Sequence, residues 1–236
     1  MTKRSPPPAH LTVPAGPPKL RRMLPNLLDE LPPPQRLALS YAPRLARSPT
    51  LALLALDVRL AALLRRGREP VLVQMRLAWW RETLAADPRS WPVGDPVLGL
   101  LRGWRRPTAL GGLVDGWEGL LGDSLDRAAI GAFAEGRGEA FAELARELGA
   151  EPAAATACGK LWALGDLAAN LSEPGERAAA IGAAANLPPC PQLPRALRPL
   201  AVLAGLARRS LTRGGEPLLA GPRALLFAVR LGIAGR

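Results

Sequence analysis

The chain has 236 residues, 48% of them hydrophobic but only 4% aromatic, and 31 Lys and Arg against 20 Asp and Glu give a net charge of +11. The apolar share is ample for the core of one domain, and abundant Ala and Leu without period-two Val and Ile runs exclude a β architecture in favour of helices. A lone histidine, His10, in a Pro-rich stretch excludes Ser/His/Asp triads, Cys/His pairs and zinc-water chemistry, so carboxylates and arginines are the only reactive groups on offer.

Residues 1–35 hold a series of prolines with Lys3, Arg4, Lys19, Arg21 and Arg22 and no acid before Asp29. They read as a basic, disordered arm without the apolar centre of a secretory signal. Residues 36–236 read as a single all-helical domain. Helices are expected at 34–47, 49–66, 69–86, 95–105, 108–121, 124–148, 152–171, 175–185, 193–211 and 217–233. Ser48 and Ser124 suit N-caps, and Gly67, Gly122 and Gly149 suit C-terminal stops. Cys158 and Cys190 are too few and too far apart in sequence to suggest a disulfide framework or a zinc site, so a reducing compartment is the expectation. The C-terminal segment is interrupted by Arg223 and Arg230, so it is expected to lie on a membrane surface rather than to span it.

Three of these helices carry a charge inside an apolar stripe. On 49–66, Leu53, Leu54, Leu60, Ala61 and Leu64 surround Asp57. On 69–86, Leu72, Val73, Trp79, Trp80 and Thr83 centre on Arg76, with Glu69 before it. On 124–148, Ile130, Phe133, Phe141, Leu144 and Leu148 centre on Arg137, between Gly136 and Gly138. An inward charge demands a partner. The spacing therefore predicts that Asp57 meets Arg76, either as a structural ion pair or as the polar lining of a central cavity enclosed by the three helices. The two glycines predict a close approach by another backbone or by a ligand. Glu135, Glu139, Glu143 and Glu147 recur every four residues and drift about 40° per step, which spreads them over a solvated face instead of a metal ladder.

The segments ALLALDVRLAALLRR and REPVLVQMRLAWWRETL resemble the squalene/phytoene synthase family, with an AFD-type helix followed by an RLAWW helix. The resemblance continues through FAEGRGEAFAELARELG and GKLWALGDLAANL, covering about Leu37 to Leu171. It implies the all-helical prenyl synthase (isoprenoid synthase) fold, with Leu53, Leu60, Leu72, Trp79, Phe133 and Phe141 as apolar lining of a central cavity. Asp57, Glu69, Arg76, Arg137 and Asp166 would be its polar lining.

Active members of that family hold magnesium on two aspartate-rich motifs to ionise an allylic diphosphate. Here the first motif falls on Ala61, Ala62 and Arg65, and the second on Asn170 and Pro174, with Asp166 and Glu173 nearby. The accompanying glutamine falls on Ala163 and the tyrosine on Phe133. The resemblance is closer to the divergent branch of phytoene-synthase-related assembly factors of mitochondrial complex I. It implies no metal, cofactor or catalytic residue, and a non-catalytic protein that binds an isoprenoid or another lipid, or a protein partner in a respiratory membrane complex. The alternatives are an active head-to-head prenyltransferase of isoprenoid biosynthesis and a plain basic scaffold on an anionic membrane. No nucleic acid is expected as partner; the location implied is cytoplasmic, with peripheral attachment to the inner membrane.

Overall fold

The computed structural model describes residues 27–66, 69–122 and 124–234. Among them the secondary structure is helical throughout: α1 (Pro33–Ser40), α2 (Arg44–Arg66), α3 (Pro70–Ala85), α4 (Pro96–Leu101), α5 (Gly111–Glu118), α6 (Arg127–Glu147), α7 (Pro152–Asn170), α8 (Pro174–Ala185), α9 (Arg198–Leu211) and α10 (Gly221–Ala234). A helical turn at 27–30 precedes them. None of the described helices is long and apolar enough to cross a membrane.

The molecule is organised around α6 and α7. The two pack along their length, α5 lies on the outer side of α6, α9 lies on α7, and α2 crosses α5 and α6 while contacting α4. Glycine makes this possible at two contacts. A Cβ on Gly136 would overlap the carbonyl oxygen of Gly112, and one on Gly138 would lie 2.8 Å from the Lys160 side chain and 3.1 Å from the Thr156 carbonyl. The glycines flanking Arg137 thus let α5 approach from one side and α7 from the other.

Several boundaries differ from those the sequence suggests. The break expected at Ser48 and Pro49 lies earlier, at Tyr41 to Pro43, and Pro49 sits inside α2. It falls in the second turn, where the carbonyl it leaves without a donor belongs to the exposed Leu45 and is open to water. Asp126, not Ser124, caps α6 by accepting from the Ala129 amide at 2.7 Å. Gly149 does end α6, with φ +68, whereas α5 stops at Glu118, short of Gly122. Gly67 lies outside the described residues, as do residues 1–26. The arm does not extend to 35, because Leu27 and Leu31 are fully buried in the core.

The cysteines are also closer than their spacing suggests. Cys158 on α7 and Cys190 in the loop after α8 form a disulfide across 32 residues, with Cα atoms 5.0 Å apart. Sequence distance was the wrong criterion, since α8 folds back along α7 and returns the chain to it. Closing a loop of this length stabilises the fold by about 3 to 4 kcal/mol on the chain-entropy estimate.

A buried carboxylate–arginine site

Asp57 faces inward from α2, and its partner is Arg137 of α6. The Arg137 guanidinium donates from Nε to Asp57 Oδ1 at 3.1 Å and from Nη2 to Asp57 Oδ2 at 2.8 Å. Its remaining edge donates from Nη1 to Asp166 Oδ2 of α7 at 2.9 Å. Trp117 of α5 adds an indole N–H to Asp57 Oδ1 at 2.9 Å. Asn170, one turn beyond Asp166, donates to its Oδ1 at 3.3 Å and to its backbone carbonyl at 2.8 Å. Each of the four carboxylate oxygens therefore accepts a hydrogen bond.

Burial makes this arrangement consequential. Asp57 is 3% exposed and Arg137 2%, and the guanidinium carbon lies 4.8 Å from the Phe133 ring centre, 5.2 Å from Trp117 and 5.4 Å from Trp162. These rings replace water around the cation. Burial pushes the Asp57 carboxyl above its ordinary value; Arg137 pulls the other way and the charge of Asp166 adds to the rise. For Arg137 burial opposes the charge, but Asp57 and Asp166 outweigh it and hold the guanidinium above its ordinary value. Two carboxyl groups thus share one cation.

The triad forms the floor of a cleft of about 280 Å³. Its walls are Pro32 to Gln35 before and within α1, Val58, Ala61 and Arg65 of α2, Ala169 and Asn170 of α7, and Pro217 to Leu219 before α10. Gln35 is buried, and its Oε1 has no hydrogen-bond partner. Arg65 is exposed on the same wall. From this stretch of α2 the cleft thus receives the Ala61 methyl and the cation of Arg65.

The other expected site residues lie elsewhere. Arg76, Glu69, Leu72 and Trp79 are exposed on α3, so Arg76 does not meet Asp57. The reason is visible in α3 itself. Val73, Leu77, Trp80, Thr83 and Leu84 face the core, while Val71, Leu72, Met75 and Trp79 form a second apolar stripe facing outward. A helix that is apolar on both sides has no unique inward face, and Arg76 lies between the two. Nor do the three helices enclose a cavity. α3 packs chiefly on α5 and touches α2 only lightly, clamped by Arg81 donating to Asp115 at 2.7 Å and to Glu118. Leu53, Leu60, Phe133 and Phe141 are packed in the continuous core and do not line the cleft.

The glutamate series on α6 is divided rather than uniformly solvated. Glu143 is buried and paired with Arg146 at 2.9 Å. Glu135 holds Lys160 at 2.6 Å, and Glu147 accepts from the Arg105 backbone amide. Among the described residues no group of three or more His, Cys, Asp or Glu side chains is placed to hold a metal ion.

Trp117, Trp162 and Asn170 were missed by the sequence reading. Trp162 and Asn170 stand four residues before and after Asp166 on α7, so the three share one helix face, a signal that was available. Trp117 comes from a different helix and carried none. No family model, curated protein or solved structure matches the chain.

Proposed function

We propose that this protein is a non-catalytic relative of the squalene/phytoene synthases, with the same kind of helical fold, acting as a binding or assembly module at a membrane surface, for instance in building a respiratory complex. One observation carries the proposal. Arg137 occupies both carboxylates that face the cleft, from a position enclosed by three aromatic rings. Ionising an allylic diphosphate requires divalent ions held by several free carboxylates, because charge develops on the leaving group. Here Arg137 already donates to both oxygens of Asp57 and to Oδ2 of Asp166, and Asn170 donates to Asp166 Oδ1, so a magnesium ion would find no carboxylate oxygen without a donor. The donor set does not fit magnesium, and no catalytic step is derived through it.

The partner side of the proposal rests on two surfaces. On α10, Leu225, Leu226 and Ile233 are exposed on one face, and Arg223 and Arg230 are exposed beside them. This is the pattern of a helix lying on an anionic bilayer. On α3 the outward stripe of Val71, Leu72, Met75 and Trp79 is a second exposed apolar surface, open to a protein or lipid partner.

The competing reading, a working head-to-head prenyltransferase, makes a different prediction in a single assay. Incubation with magnesium and farnesyl or geranylgeranyl diphosphate should release no diphosphate above a protein-free control. Enzyme-dependent release would overturn the non-catalytic reading.

A further inference from the structure

The groove that runs along α9 on the far side of α7 from the cleft belongs to none of the chemistry above. Its two halves, of about 230 and 340 Å³, share Leu161, Cys190 and Arg208. Positions 201, 204, 205, 208, 211 and 212 of the chain line it. At 1.5 Å per residue that is about 16 Å along one helix face. The larger half is walled by Ile181 and Ala184 of α8 and by Leu211, and its volume is within the ordinary range of ligand sites, about 300 to 1,000 Å³. The loop over it carries Pro188, Pro189 and Pro191 around Cys190. The disulfide to Cys158 pins that loop to α7, so the wall is built in advance and little ordering is needed on binding.

Arg208 decides what the groove suits. It is exposed, it sits where the two halves meet, and no described carboxylate pairs with it. An exposed arginine at such a place can lay its stem on apolar surface and keep its guanidinium toward water, with donors that match a carboxylate. We infer that the groove binds a long-chain fatty acid, its alkyl chain in the half formed by α8 and α9 and its carboxylate on Arg208. One cation at the edge favours a monoanion. The chain's own N-terminal arm is a poor occupant, since residues 1–26 contain no acid to meet Arg208. This inference is independent of the non-catalytic reading, because no residue of the groove lies in the Asp57–Arg137 site.

The test is fluorescence titration of the full chain with parinaric acid and, in parallel, with its methyl ester. Saturable binding of the acid is expected, weakened roughly tenfold by Arg208→Gln, as for loss of one charge-assisted hydrogen bond. The ester should bind the two proteins equally. Ala184→Phe, which fills the larger half, should abolish binding of both probes while an unchanged melting temperature shows that the fold is intact. If Ala184→Phe unfolds the protein, the Arg208→Gln comparison stands alone, since that side chain is exposed. Absence of saturable binding, or an acid affinity that Arg208→Gln leaves unchanged, would overturn the inference.

Discussion

Arg137 donates to both oxygens of Asp57 across 80 residues of sequence, and neither side chain has water to fall back on. The pair therefore stands or falls together. Truncating one partner strands the other's charge in the core, which costs about 3 to 5 kcal/mol, whereas replacing a whole pair with apolar groups of similar volume is often nearly neutral. Arg137→Met should destabilise by about that amount in urea denaturation. Asp57→Leu combined with Arg137→Met should recover part of the loss, with Asp166 the one charge left to solvate at its partly exposed edge. A double variant less stable than either single variant would contradict this.

The pH dependence follows from the raised carboxyl of Asp57. A carboxyl raised on folding binds its proton more tightly in the folded chain than in the unfolded one. Its contribution to stability is therefore fully present below the unfolded value and declines as pH rises through the folded one. Compared with Asp57→Asn, which does not titrate there, the wild type should lose relative stability as pH rises above the ordinary Asp value of about 4. Denaturation midpoints of both proteins across that range give the sign directly. A wild-type advantage that grows with pH would mean that the pull of Arg137 outweighs burial.

The glycines of α6 separate a packing role from a propensity role. Gly136→Ala places a methyl against the Gly112 carbonyl, whereas a methyl at Gly131 meets nothing within 4 Å. Gly136→Ala should cost about 1 to 3 kcal/mol by forcing α5 and α6 apart. Gly131→Ala should gain about 0.5 to 1 kcal/mol from helix propensity. Thermal melts that shift in the same direction for both would refute the close contact as the reason for Gly136.

Much of this was legible before any coordinates. The helices at 33–234 among the described residues, the inward charges at Asp57 and Arg137, and the close contacts at Gly136 and Gly138 all follow from periodicity and the cost of glycine in a helix. What failed was pairing. Asp57 and Arg76 both sit inside apolar stripes on consecutive helices, yet α3 is apolar on two faces and its period cannot say which one is core. Arg137 lies farther along the chain, on a helix buried on several faces between α5 and α7. The same limit hid the disulfide and the buried state of Glu143, both of which depend on which helices pack and not on any local pattern.

If Arg137 takes the place of a metal at the carboxylates of the cleft, magnesium adds nothing to diphosphate binding there. Isothermal titration with magnesium and a non-hydrolysable farnesyl diphosphate analogue addresses it most directly. No magnesium-dependent heat of analogue binding is expected. Saturable binding that requires magnesium and disappears in Asp166→Asn would contradict it and return the cleft to diphosphate chemistry.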